Sequence, residues 1–467
     1  MPLITTPYLS RVLGAENIGI YSYTLSITTY FILLGSLGVS TYGQREIAYV
    51  RDNEKLRTKT FFEILIMRTI TLTISIIIFY FSFASNGEYS MYYKILLLEI
   101  IANMIDISWF FQGQEEFKKT VIRNTIVKFI SIVCIFLFVK TQNDLSKYFL
   151  IYVLSTLLGN FSLWLYLPKY IQRIRTKELK IWRHFKPTIE LFIPQIAMQI
   201  YTVLDKTMIG AIVEDKSEVG FYEQAQKIIK LLVTIATALA TVMVPRMANT
   251  FANGEKDKLK EYLNKSFKFV LLLVFPLMLG IISIANKFVP IFYGEGYEKV
   301  VDILYAFCPL YLIIVISPII LAIGLSGVMG TQYLLPTKQQ KKYTISVVVG
   351  SIVNFIFNMI FINLWQSIGA SIATVIAEFT VTGIQFYLMR KEIRLLDVLK
   401  MAKKYCIAGI IMFCISIMIS ILIKDNLLSI IIQIGISAIV YMGILLLMKD
   451  ELVLEGIEKI RKKVLKN

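Results

Sequence analysis

The chain is poor in the residues that carry out chemistry. It has one histidine and four cysteines in 467 residues, and only 17% of its residues are charged; soluble domains carry about 25%. His184 lies in a basic loop, where a surface or helix-interface role fits it better than catalysis, and no Ser/His/Asp or metal constellation surrounds it. Cys134, Cys308, Cys406 and Cys414 fall in or beside apolar blocks without metal-like spacing, as small core residues do. There is no G-x-x-x-x-G-K-[ST] loop, which excludes nucleotide hydrolysis by that route. No loop is long enough for a catalytic domain, and the longest are charged and amphipathic. The chain is therefore expected not to be an enzyme and to need no cofactor or metal. No signal peptide is expected either, because no charged segment or cleavage site frames the first apolar block. That block, ahead of Arg11, falls short of the ~20 residues that cross a bilayer, so the first helix is expected to be incomplete.

What is present is apolar: 56% of residues are hydrophobic and mean hydropathy is +0.67. The apolar residues come in blocks such as "FVLLLVFPLMLGIISIA" and "IAGIIMFCISIMISILI". With their flanks these reach the ~20 residues that span hydrocarbon, too long and continuous for barrel strands. The fold class is therefore an all-α polytopic membrane protein. About fourteen helices are expected, near 1–9, 18–41, 60–83, 92–111, 120–139, 148–168, 188–213, 220–244, 267–286, 300–324, 343–362, 366–389, 405–423 and 427–448. A net charge of +17 suggests nucleic acid in a soluble protein. Here most Lys and Arg gather in alternate loops, among them "GQREIAYVRDNEKLRTK" and "YIQRIRTKELKIWRHFK", and in the tail "EKIRKKVLKN". By the positive-inside rule these loops and the C-terminus are cytoplasmic, and no nucleic-acid partner is needed.

The segments "NIGIYSYTLSITTYFILLGSLGVSTYGQR" and "EVGFYEQAQKIIKLLVTIATALATVMVPR" align at a constant offset, Gly19 with Gly220, Tyr21 with Tyr222 and Arg45 with Arg246. Both run the same way through the membrane, which indicates a parallel repeat of two six-helix lobes with the substrate site expected between them. In the second copy Glu223, Lys227, Lys230, Thr234, Thr237 and Thr241 form one helical stripe; Ser22, Ser26, Thr29, Leu33, Ser36 and Ser40 are its counterpart in the first. Further stripes are Gln195, Gln199, Thr202 and Lys206; Arg68, Thr71 and Ser75; Glu99, Asn103 and Asp106; Asn124, Lys128 and Ser131; and Ser371, Thr374, Glu378, Thr382 and Gln385. Ionisable groups on spanning helices face a bundle interior or a wet cavity. Hydroxyl and amide stripes also serve plain helix packing, and Glu223 with Lys227 has the order of a local ion pair. Both alternatives stay open at this point. The candidate substrate-path residues are Arg68, Lys206, Lys227, Lys230, Lys128, Ser26, Thr29, Gln199 and Thr202; the candidate ion-coupling residues are Asp106, Asp205 and Glu378.

The blocks "PLITTPYLSRVLGAENIGIYSYTLSITTYFILLGSLGVSTYGQREIAYVRD", "FIPQIAMQIYTVLDKTMIG", "EVGFYEQAQKIIK", "VMVPRMANTF" and "GTQYLLPTKQQKKYTISV" closely resemble polysaccharide flippases of the Wzx type. These belong to the multidrug/oligosaccharidyl-lipid/polysaccharide exporter superfamily. The likeness runs from Pro2 to about Arg390, and at the start relatives carry a longer first helix. It implies a bacterial inner-membrane protein with an N-terminal six-helix lobe (1–170), a basic cytoplasmic linker (171–187) and a second six-helix lobe (188–390). Two extra helices (391–448) and a basic tail (449–467) follow. It further implies outward movement of undecaprenyl-pyrophosphate-linked oligosaccharide repeat units for O-antigen, capsule or exopolysaccharide. A polysaccharide polymerase and a chain-length regulator would be its partners. In that reading Lys227 and Lys230 meet the diphosphate, with Lys206 and Arg68 as neighbours, and alternating access through a cationic central cavity moves the sugar. The alternatives are a cation-coupled drug antiporter of the same superfamily, which would want an acidic cavity, and a membrane-embedded glycan polymerase or ligase.

Overall fold

The computed structural model describes residues 2–174, 178–307, 319–423 and 427–464, with the side chains at 193–195 and 197–201 among those left undescribed. Every described regular element is helical. Two compact units account for the chain, Met1–Gly220 and Phe221–Asn467.

The first unit contains α1 (Pro2–Ser36), α2 (Val39–Val50), α3 (Glu54–Phe79), a π-helical turn at Tyr80–Ala84, α4 (Ser90–Met104), α5 (Ser108–Gly113), α6 (Phe117–Phe138), α7 (Leu145–Trp164) and α8 (Phe185–Ile212). Asn53 caps α3 by accepting from the Leu56 N–H at 3.0 Å, which satisfies one of the donors a helix start leaves open. α8, which the sequence places at the head of the second lobe, lies within the first unit. The opening element is a helical hairpin. Gly14 breaks α1 with φ +78°, a conformation that suits a residue without Cβ. Before the break Tyr8 packs on Phe136 and donates to the Val139 carbonyl; at the break Gly14 sits beside Gln142. After it, Tyr21 packs on Tyr148, Phe149 and Tyr152. The chain thus climbs along α6, turns at the α6–α7 connection and returns along α7. The first helix therefore runs from Pro2 to the break at Gly14, past the 1–9 read from the sequence.

The second unit holds most of α9 (Ser217–Thr237), then α10 (Ala240–Ala252), α11 (Lys256–Tyr293), α12 (Lys299–Phe307), α13 (Ile319–Gly327), a π-helical turn at Val328–Leu334, α14 (Gln340–Leu388), α15 (Leu395–Leu422), α16 (Leu427–Leu447) and α17 (Glu451–Val464). α14 is a second hairpin, broken at Gln366 with φ +52°. Its arms pair in reverse order: Gln385 donates to Ser346 and Asn354 to Thr374, and a Cβ on Gly350 or Gly369 would meet Val381 or Phe361.

Nine described helices are long and apolar enough to cross a membrane, or ten if the bent pair Ser217–Thr237 and Val242–Ala252 is one span. The difference from the fourteen expected has a geometric reason. Ile4–Val50 and Gln340–Leu388 each count once, although each holds two of the expected helices joined at a sharp break. Much of the helix expected at 300–324 falls at 308–318, outside the described residues. The helix expected at 188–213 forms as α8 (Phe185–Ile212) but is not among the counted spans, since side chains at 193–195 and 197–201 within it lie outside the described residues.

Candidate functional site: a polar cavity in the first unit

The sequence stripes on α4 and α6 meet in one place. A cavity of about 580 Å³ opens between α4, α6 and α7, with Thr5 of α1 at its edge. α4 contributes Glu99, Asn103 and, at its end, Asp106; α6 contributes Asn124, Lys128 and Ser131. Both were expected as helix faces, and the fold turns them toward one another. The hydroxyls and amides of Tyr152, Ser155, Thr156 and Asn160 on α7 add to the lining, together with Arg123 and the apolar Val127, Ile132 and Ile135 of α6.

Each ionisable group has a distinct setting. Glu99 is 5% exposed, and its Oε2 has no hydrogen-bond partner among the described residues. Such an atom is costly to bury alone. Asp106 sits where α4 gives way to α5, and its carboxylate accepts from the Ser108 N–H at 2.9 Å and the Ser108 hydroxyl at 3.1 Å. These bonds aim the carboxylate, and it interacts electrostatically with both Arg68 and Arg123. The Arg123 guanidinium donates to Asn160 Oδ1, and the Asn160 amide donates to the Ala102 carbonyl at 2.7 Å. Lys128 is exposed on α6. Two carboxylates and two cations therefore face one space with no formal surplus of either sign.

Other expected residues lie elsewhere. Arg68 does not line this cavity. It is 1% exposed, and its Nη1 donates to the Asp106 carbonyl at 2.7 Å, so it braces the α4–α5 break from behind. Ser26 is buried and shares a 2.8 Å hydrogen bond with Thr207 of α8, while Thr29 donates to the Leu25 carbonyl within its own helix. Asp205 is buried, Lys206 half-buried and Thr202 exposed; the Gln199 side chain lies outside the described residues. In the second unit Tyr222, Ala225 and Ile229 bury one face of α9, which leaves Lys230 and Thr234 exposed on the other. Lys227 is half-buried on that side, 3.7 Å from Glu223. Glu378 is 9% exposed on the second arm of α14. Arg123 and Asn160 were not singled out from the sequence. Arg123 stands one residue from the α6 stripe and reads there as a helix-end charge, and Asn160 is an isolated amide in an apolar run.

Residues 1–251 match the profile of the family described as polysaccharide biosynthesis protein, and residues 191–360 match that of MatE. A protein of Escherichia coli strain K12 described as an O-antigen transporter is 24% identical over 398 residues, covering 84% of this chain and 93% of the relative. A Shigella dysenteriae protein of the same description is 21% identical over 381 residues, covering 81% and 92%. In fold the chain is similar to the lipid II flippase MurJ in its inward closed conformation, with a TM-score of 0.76 at 18% identity over 97% of this chain and 96% of that one.

Proposed function

This chain belongs to the polysaccharide biosynthesis protein family, and from that premise we propose that it is a Wzx-type flippase that carries lipid-linked oligosaccharide from one leaflet to the other. The observation that carries the reading is the cavity between α4, α6 and α7. A chain of sugars presents hydroxyls in every direction, and the amides and hydroxyls of Asn103, Asn124, Thr156 and Asn160 can donate to or accept from them. Paired carboxylates and cations let the space stay hydrated inside an apolar body without a net charge that would trap one ion. Support also comes from relatives described as O-antigen transporters, which match over most of their length.

The substrate in this reading is an undecaprenyl-pyrophosphate repeat unit, moved toward the outer face of a bacterial inner membrane with the C-terminus cytoplasmic. The cavity is exposed alternately to the two sides, and the polyprenyl tail stays in lipid. Lys227 and Lys230, on the outward face of α9, supply mobile cations for the pyrophosphate, with Lys206 as a further cation. Asp106, Asp205 and Glu378 are the carboxylates available for coupling to a proton or sodium ion. No covalent change to the sugar is part of the cycle, and a polymerase and a chain-length regulator act on the product.

The test is complementation in a strain lacking its own O-unit transporter. Expression should restore surface polymer and clear the lipid-linked repeat unit that accumulates at the inner leaflet. Restored polymer with an unchanged inner-leaflet pool, or no restoration with any repeat unit tried, would remove flipping from the account.

A further inference from the structure

A second pocket of the first unit, about 380 Å³, lies at the end of the α3–α4 pair, between the bend at 85–89 and the C-terminal end of α8. Its construction is aromatic. Phe83 and Tyr93 pack with centroids 5.4 Å apart, and both line it. Tyr23 and Tyr89 stand edge to face at 6.2 Å and form walls. The π-helical turn Tyr80–Ala84 supplies both Ser82 and Phe83, and such turns are frequent at functional sites.

One wall is rigid. A Cβ on Gly210 would come within 2.1 Å of the Tyr23 ring, so only glycine lets this ring lie on the backbone of α8. Lys216 closes the same corner: its ammonium donates to the Gly210 and Val213 carbonyls at 2.8 Å each and lies 5.5 Å from the Tyr23 centroid. The other wall stands on a bend that turns at Gly87, φ +113°, and carries the exposed Asn86 and Glu88.

We propose that this pocket is a saccharide subsite, which holds one sugar of the oligosaccharide by stacking on Tyr23 and Tyr89. A pyranose ring has an apolar C–H face with a slightly positive edge and a rim of hydroxyls. The C–H face matches the negative face of an aromatic ring, and the hydroxyls match Ser82, Asn86 and Glu88. The volume lies in the ~300–1,000 Å³ range of small-molecule pockets. A diphosphate fits poorly: the cation here is already held by two carbonyls, and Glu88 opposes a second anion. The pocket shares no lining residue with the cavity of α4, α6 and α7. It lies at the end of the unit opposite the basic loops, so in the flippase reading, on which the glycan's identity rests, it receives the sugar on the outer side.

The probe is the repeat-unit oligosaccharide freed by mild acid from the lipid-linked pool of the host, without polyprenol or phosphate. It is offered to the full chain in lipid nanodiscs and read by saturation-transfer NMR. Saturation should reach the C–H protons of one sugar in the wild type. Tyr89→Ala, on the exposed bend, should weaken binding at least tenfold; Tyr89→Phe keeps the ring and should bind as the wild type does. No transfer to wild type, or equal binding by wild type and Tyr89→Ala, overturns the subsite. A Tyr89→Ala protein that unfolds earlier is replaced by Asn86→Leu, for which at least a fivefold loss is expected and unchanged binding overturns the proposal. Complementation, scored in parallel, keeps the two readings apart: intact export without sugar binding removes only this subsite, whereas absent export in the wild type removes the flippase reading.

Discussion

Gly19 and Gly220, equivalent in the sequence repeat, touch each other in the folded chain. A Cβ on Gly19 would lie 1.7 Å from the Lys216 carbonyl oxygen and 3.1 Å from the Gly220 nitrogen; one on Gly220 would lie 2.0 Å from the Ala15 carbonyl oxygen. Neighbours this close are backbone and cannot swing aside. Gly19→Ala and Gly220→Ala should each lower the thermal unfolding midpoint and the membrane yield, at about 1–3 kcal/mol for an overpacked contact. Gly435→Ala, where a Cβ would meet nothing within 4 Å, is the control and should behave as wild type. Equal midpoints for all three variants would contradict the close crossing.

Glu99 separates a structural from a functional carboxylate. Its Oε2 is buried with no hydrogen-bond partner among the described residues, so Glu99→Gln, which removes a charge and keeps the size, should leave stability unchanged or raise it. Export should nevertheless fall at least tenfold if the cavity handles substrate. Surface polymer and protein level measured together decide the point: full export by a stable Glu99→Gln protein would take this residue out of the path.

Lys227 and Lys230 require a charge-specific test, because Lys227 already has Glu223 at 3.7 Å. Replacing both lysines with Gln should abolish export while protein stays in the membrane. Adding Glu223→Gln and Asp205→Asn should restore stability but not export. Export by the quadruple neutral variant would assign the stripe to ion pairing alone.

His184 gives the first unit a pH dependence. It is 3% exposed, its Nδ1 lies 2.7 Å from the Tyr42 hydroxyl, and its Nε2 lies 2.9 Å from Glu63 Oε2. Arg183 pairs with the same carboxylate oxygen at 2.6 Å. Burial holds the imidazole below its ordinary value of 6.5; Glu63 pulls the other way and Arg183 adds to the lowering. A folded value below the unfolded one means that the unfolded chain binds the extra proton first. This contribution is therefore complete above about pH 6.5 and is lost as pH falls from there through the folded value, by at most ~1.4 kcal/mol per pH unit. Unfolding midpoints of purified protein between pH 5 and 8 should show that decline, and His184→Gln should flatten it. An undiminished slope in His184→Gln would place the titration elsewhere.

Orientation is tested by single cysteines at Lys256 and Asp215, both exposed. In intact cells an impermeant thiol reagent should label Asp215→Cys and spare Lys256→Cys, as the distribution of basic loops requires. Labelling of Lys256→Cys from outside would reverse the assignment.

Much of this arrangement was legible before folding. The apolar blocks marked the spanning helices, because every backbone group in hydrocarbon must be paired within the segment. Periodicity put Glu99 with Asn103, and Asn124 with Lys128, on single faces, because residues three and four apart share one side of a helix. The repeat singled out Gly19 and Gly220, and the chain beyond Asn363 was expected to start a new helix where Gln366 breaks α14.

Periodicity fixes the angle of a side chain about its own helix and is silent about which helix lies opposite. Arg68 and Lys128 look alike in the sequence, each a cation within an apolar helix. Tertiary packing buries Arg68 behind the α4–α5 break, where it donates to the Asp106 carbonyl, and leaves Lys128 exposed in the lining of a cavity. His184, Glu63 and Tyr42 lie far apart along the chain and meet only when the segment ahead of α8 folds against α2 and α3. The sequence by itself determined that this chain lives in a membrane and which face of each helix is polar. The tertiary structure decided which polar faces meet, because the cost of an ionised group in an apolar body depends on the particular partner that packing brings within a few ångströms.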